Sequence, residues 1–114
     1  MADMKRIIDI FRKYGDDYWT LRQQALFLEI AEAGKRGITM VDLTDSYAKS
    51  PQPMNLTQIT KNCGYISDDP HRDGYKGYNL VTFQDDPSHH TRKVVMLTDK
   101  GLKMYKELQE ELTP

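Results

Sequence analysis

The chain has 114 residues, of which 39% are hydrophobic and 29% charged, and its formal net charge is −1. This length and composition predict one globular domain spanning residues 1–114 and exclude wholesale disorder. Because Cys63 is the only cysteine, an internal disulfide and a cysteine-based metal cage are excluded, and a reducing cytoplasm fits best. No apolar stretch approaches the ~20 residues of a membrane span, so we expect a cytoplasmic protein with no membrane partner.

Enzyme motifs are absent from the sequence: it has no glycine-rich phosphate loop, no nucleophile motif and no metal-hydrolase motif. The adjacent acids Asp85 and Asp86 are typical of turns rather than of an acid–base pair. The neighbouring histidines His89 and His90 lack the spacing that lets two rings bind one ion. We therefore expect a protein that is not an enzyme and has no catalytic, cofactor-binding or metal-binding residues.

The first predicted element is a short amphipathic helix over residues 3–14. Its apolar residues recur at helical spacing, and Asp3 and Gly15 are suited to its two ends. The predicted stripe consists of Met4, Ile7, Ile8 and Phe11.

Two further helices follow. Thr20 and Gln23 have the spacing of a capping box, and the apolar residues up to about Ala33 cover more than one face, which predicts the most buried helix of the fold. Thr39 can cap a third helix, which must end before Pro51. The inward stripe of this third helix is predicted to be Met40, Leu43 and Tyr47.

The fourth predicted helix, residues 55–67, begins at Asn55, with Gln58 three positions further on. Its apolar stripe is predicted to be Leu56, Ile59, Cys63 and Ile66. The opposite face is polar and carries Thr57, Gln58, Lys61, Asn62 and Tyr65. This polar face is available for recognition.

A β-hairpin is predicted at residues 80–97, because two β-branched or apolar runs flank a polar turn. Thr98 can then cap a last helix over residues 98–112, whose stripe is predicted to be Leu102, Tyr105, Leu108 and Leu112. Helices followed by a hairpin and a closing helix predict an α+β, mostly helical fold. This fold is the winged helix-turn-helix with a two-stranded β-hairpin wing and flanking N- and C-terminal helices.

The segments QQALFLEIAEAG, GITMVDL, KGYNLV, DDP and VVMLTDKGLKMY, between Leu21 and Leu108, resemble the MarR family of bacterial transcription regulators. The most specific part is the wing exit from Val95 to Gly101, together with Asp86 and Pro87 at the wing tip. The resemblance implies a winged-helix regulator that binds double-stranded DNA and acts as a homodimer. The two terminal helices either pair between chains or cover the core of one chain.

Helix 55–67 is the candidate for entering the major groove and wing 80–97 for the adjacent minor groove. Glutamine and asparagine can pair with adenine, and lysine can reach guanine or phosphate. Lys49 and Lys61 are the only charged residues between Ser46 and Ser67, which favours a phosphate-facing region. The predicted DNA-binding residues are Thr57, Gln58, Lys61, Asn62, Arg92 and Lys93.

An alternative function follows from two departures from the family pattern. The family often has an aspartate and an arginine two residues apart at the wing tip, and these places fall on His89 and Thr91 here. An insertion from Ser67 to Tyr75 adds three acids before the wing. These features, with the negative net charge, favour a winged-helix protein–protein interaction module, an adaptor or inhibitor of the transcription machinery with little intrinsic DNA binding.

Overall fold

A computed structural model describes residues 3–51, 53–67 and 77–112, without the side chains of residues 89–91. The helices are α1 (Met4–Tyr14), α2 (Leu21–Glu32), α3 (Met40–Ala48), α4 (Leu56–Ile66) and α5 (Asp99–Leu112), and the strands are β1 (Ile38–Thr39), β2 (Val81–Asp86) and β3 (His89–Leu97). A single 3-10 turn, Gly34–Arg36, links α2 to β1. The predicted mostly helical winged-helix architecture is confirmed.

The helices begin at the predicted capping residues. Asp3 accepts a hydrogen bond from the Lys5 amide at 3.0 Å, which satisfies one of the amides that a helix start leaves unpaired. Thr20 and Asn55 each begin a full capping box. The side chain of the cap accepts a hydrogen bond from the backbone N–H of the third helical residue, a glutamine, and the glutamine side chain accepts one from the backbone N–H of the cap. Local hydrogen bonds therefore fix where these helices start.

The sheet is antiparallel with the order β1-β3-β2, so the predicted hairpin is confirmed but the sheet has a third strand. Ile38 pairs with Val95, and a strand of two residues has no periodicity that could have predicted it. The wing turn is also tighter than expected, because Asp86 pairs with His89. Gly37 immediately precedes β1 and has a positive φ of 72°, which favours glycine. A Cβ at this position would lie 2.4 Å from the Val95 carbonyl oxygen.

The core is centred on α2, as predicted, with Leu26, Phe27 and Ile30 fully buried. The predicted inward stripe of α3 is confirmed, with Met40 and Leu43 buried and Tyr47 half-buried. The predicted stripes of α1, α4 and α5 are wrong in part, because several of their members are exposed. These exposed residues are Met4 (67%), Ile8 (49%), Leu56 (53%), Leu102 (38%) and Leu112 (58%). Each helix on the outside of this core buries only a narrow strip of its apolar side.

Helix α5 is positioned by Gly101. A Cβ on this residue would lie 2.1 Å from the Leu80 carbonyl oxygen, so the helix backbone approaches the start of the wing closely. This approach turns Gly101, Met104 and Leu108 inward and leaves Leu102 at the surface.

Helices α1 and α5 pack against each other and are joined by two ion pairs. Arg6 lies 3.5 Å from Glu111, and Lys13 lies 2.9 Å from Glu107. The buried Tyr14 ring lies beside Glu107, and burial, followed by interaction with this carboxylate, raises the pKa of Tyr14 to about 12. The pKa of Glu107 is lowered, first by the Tyr14 hydroxyl and then by the Lys13 ammonium. No helix within the described ranges is long and apolar enough to cross a membrane.

Candidate nucleic-acid interface

The polar side of α4 divides into two parts. Thr57 and Lys61 are exposed, whereas Gln58 and Asn62 are half-buried on one flank of the helix. Residues two positions apart on a helix differ by about 200° of rotation, so Leu56 and Thr60 lie on the other flank. The two flanks therefore offer different chemistry.

The amides of Gln58 and Asn62 already have hydrogen bonds within the helix. Gln58 Oε1 accepts from the Asn55 backbone N–H at 3.0 Å, and Asn62 Nδ2 donates to the Gln58 carbonyl at 2.8 Å. Bidentate pairing with adenine uses both the oxygen and the nitrogen of one amide. The Oε1 atom that Gln58 would use for such pairing is already shared with the helix cap, a competition that residue type alone does not reveal.

The wing contributes two exposed cations, Arg92 and Lys93, on β3. Lys93 forms an ion pair with Asp85, its direct partner in the β2–β3 register. Arg92 has no ion pair with any residue that the structure describes. The two predicted cations are thus unequal, since only the arginine is available without breaking a contact.

A groove of about 780 Å³ lies between α3, the first turns of α4 and the wing. Its lining combines four apolar residues with two threonines, the two wing cations and one carboxylate. The lining residues are Met40, Val41, Thr44, Asp45, Leu56, Thr60, Phe83, Arg92 and Lys93. We call this surface the α3–α4–wing groove, and it brings the wing cations onto the same surface as one flank of α4.

Leu56 is the residue of this groove whose environment was predicted wrongly. It belongs by spacing to the apolar stripe of α4, yet 53% of it is exposed because the first turn of the helix extends beyond the core. Val41, on the first turn of α3, is 46% exposed. The signal available in the sequence was that Thr60, four positions after Leu56, is polar, so that Leu56 continues the apolar stripe only through Ile59.

The acidic part of the predicted insertion, residues 68–75, lies outside the described residues, as do the side chains of His89 and Thr91. The chain on either side of the insertion meets the C-terminal end of α4. There the Tyr78 amide donates to the Tyr65 carbonyl at 3.1 Å and the Leu80 amide to the Ile66 carbonyl at 2.8 Å. The α3–α4–wing groove uses the opposite, N-terminal end of the helix.

Other chemistry has little support in the described ranges. Within them, no group of three or more histidine, cysteine, aspartate or glutamate residues could hold a metal ion. Cys63 is fully buried on the inner face of α4, and burial raises the pKa of its thiol to about 12. A thiol that stays protonated is a poor nucleophile, so Cys63 acts as a packing residue.

Comparison with known proteins gives a likeness of fold. The sequence matches no protein-family model, and no curated protein matches it at a significant level. Among solved structures, the S. aureus MepR–DNA complex has a TM-score of 0.61 and 16% identity over 96% of this chain and 75% of that one. A probable transcriptional regulator from Pseudomonas aeruginosa has a TM-score of 0.57 and 17% identity over 96% and 73% of the two chains.

A third similar structure is a MarR-like transcription regulator from Bacillus cereus, with a TM-score of 0.51 and 20% identity over 96% of this chain and 65% of that one. The chain therefore has the winged-helix fold of MarR-type regulators, as the sequence resemblance implied. At this level of identity the likeness concerns the fold.

Proposed function

We propose that this chain is a cytoplasmic, DNA-binding transcriptional regulator of MarR-like winged-helix type, which acts by occupying double-stranded DNA rather than by catalysis. The observation that carries the proposal is that Leu56 and Thr60 of α4 line the same groove as Arg92 and Lys93 of the wing, with the exposed Thr57 and Lys61 on the adjoining face of the helix. A fold shared with a protein solved in complex with DNA adds support.

The residues of this surface suit different parts of a duplex. Lys61 and Arg92 are exposed cations suited to phosphates, which position a protein on DNA without reading its sequence. Thr57 can donate to or accept from a base edge. Gln58 and Asn62 can add contacts with the amide atoms that their intrahelical bonds leave available, and Lys93 joins the phosphate contacts once it leaves Asp85.

The proposal includes a homodimer formed through the terminal helices α1 and α5. Met4, Ile8 and Leu112 are exposed apolar residues on these helices, and a second copy would cover them. Sedimentation equilibrium of the wild type and of Ile8→Glu tests this part, and a dimer that the substitution converts to monomer is the expected result. Monomeric wild-type protein at micromolar concentration would contradict it.

DNA binding is tested by fluorescence anisotropy with a mixed-sequence duplex at low salt. The variant is Lys61→Ala/Arg92→Ala, and the matched control is Lys5→Ala/Lys35→Ala, which removes the same charge from exposed residues on α1 and the 3-10 turn. We expect the first pair to weaken binding at least tenfold and the control pair to change it little. Circular dichroism verifies that both variants are folded.

A protein–protein interaction module is the second candidate function. The observation that favours it is that Asp85 neutralises Lys93 and Asp45 lines the groove, which reduces the positive charge of the surface. Wild-type protein that binds no duplex even at low salt would support this candidate and contradict the first.

A further inference from the structure

We propose that the α3–α4–wing groove recognises thymine in duplex DNA. Leu56, flanked by Val41 and Thr60, contacts the C5-methyl group of one thymine, and Arg92 contacts the phosphate next to that thymine. This inference rests on the proposed function and adds to it a specificity-determining residue, Leu56, together with the base it selects.

The first argument is the exposure of the apolar residues at the groove. Leu56 and Val41 are each about half exposed, on the first turns of two neighbouring helices, with the half-buried Phe83 ring in the same groove. Covering such a cluster with an apolar group removes its surface from water, which lowers the free energy of the complex. The major groove of DNA offers one apolar group at the base edges, the methyl of thymine.

The second argument concerns the polar residues that would otherwise read bases. Gln58 and Asn62 lie on the opposite flank of α4, and each has a hydrogen bond within the helix. On the flank that faces the wing, the side chains of α4 are Leu56, with a branched apolar end, and Thr60, with a methyl group beside a hydroxyl. Leu56 can make only apolar contacts, so contact with an apolar group is the recognition that it supports.

The third argument is charge. The groove is lined by Arg92 and Lys93 on the wing side and by one carboxylate, Asp45, on the side of α3. An apolar surface beside an exposed arginine suits a DNA strand, whose phosphate backbone runs next to the base edges. Leu56 and Arg92 line the same groove, so one strand can meet both side chains.

The test uses a duplex operator selected from a random library with the wild-type protein. Each thymine is replaced in turn by deoxyuridine, which removes the C5-methyl and changes no hydrogen-bonding group. We expect at least one position at which the Kd rises roughly fourfold, the effect of one buried methyl group. For Leu56→Ala the thymine and deoxyuridine duplexes should bind equally at that position.

Leu21→Ala is the matched control, because Leu21 is also the first residue of a helix that opens with a capping box and is 83% exposed. This variant should discriminate against deoxyuridine as well as the wild type does. A deoxyuridine operator that binds normally at every position overturns the inference and leaves the proposed function intact. So does a methyl effect that persists in Leu56→Ala. Absence of binding to any duplex overturns the proposed function and this inference with it.

Discussion

Lys93 and Asp85 form an ion pair directly across the two strands of the wing, while the adjacent Arg92 has no such partner in the described part of the chain. Both members of the pair are more than half exposed, so solvent screens their attraction and the pair contributes about 0–1 kcal/mol to stability. Its larger effect is on charge, since it neutralises one of the two wing cations.

This inequality predicts different effects of the two wing substitutions. Arg92→Ala should weaken DNA binding more than Lys93→Ala, since Lys93 must leave Asp85 before it can contact a phosphate. Asp85→Asn should strengthen binding at low salt, because it frees the lysine. Anisotropy titrations of the three variants with one duplex measure these effects. Equal losses for the two cation variants, or weaker binding by Asp85→Asn, would show that the ion pair does not control the wing.

The close approach of α5 to the wing predicts that Gly101→Ala is destabilising. Alanine normally improves a helix by about 1 kcal/mol relative to glycine. Here the added Cβ would meet the Leu80 carbonyl oxygen at 2.1 Å, and such overpacking costs about 1–3 kcal/mol. We expect a lower free energy of unfolding in urea, whereas Lys106→Ala, at an exposed position of the same helix, should be nearly neutral. A stabilised Gly101→Ala protein would mean that the helix can move away from the wing.

The capping box of α4 predicts that Asn55→Ala lowers the free energy of unfolding by about 1 kcal/mol. The substitution removes the side-chain oxygen that accepts a hydrogen bond from the backbone N–H of Gln58. Thr57→Ala, on the exposed face of the same turn, should leave stability nearly unchanged and weaken DNA binding. Urea denaturation and anisotropy on the same samples separate the two effects. If Thr57→Ala costs as much stability as Asn55→Ala, Thr57 has a structural role instead.

The pKa of Tyr14, raised from 10.0 to about 12, predicts alkaline destabilisation. The folded state keeps the phenol proton more strongly than the unfolded state, so this contribution to stability is complete below pH 10 and is lost as the pH rises through about 12. Tyr14→Phe should therefore lose less thermal stability than the wild type between pH 9 and 11. Parallel pH profiles of the melting temperature would contradict this prediction.

The sequence predicted the features that depend on neighbouring residues. The caps at Asp3, Thr20 and Asn55 are local hydrogen bonds, and the wing follows from two apolar runs around a turn. The sequence did not reveal which flank of each outer helix is buried, because that depends on how the helices pack. For this reason the spacing places Leu56 in the core, although it is exposed.

The α3–α4–wing groove could not be predicted either. It joins Val41 to Arg92, about fifty positions apart, and only the paired sheet and the packed helices bring them to one surface. The engagement of the Gln58 and Asn62 amides was hidden for a related reason, since a helical spacing gives the face of a side chain but not its hydrogen bonds. The sequence therefore predicts which residues belong to the candidate interface better than it predicts the exposure and the hydrogen bonds of their side chains.

The salt dependence of DNA binding tests the central claim most directly. Anisotropy titrations of the wild type and of Lys61→Ala/Arg92→Ala against a mixed-sequence duplex give the slope of log K against log salt concentration, which reports the number of phosphate contacts. We predict that binding of the wild type weakens with salt and that the double substitution makes the slope shallower by about two. An unchanged slope, or no binding by the wild type at low salt, would contradict a DNA-reading role for this surface.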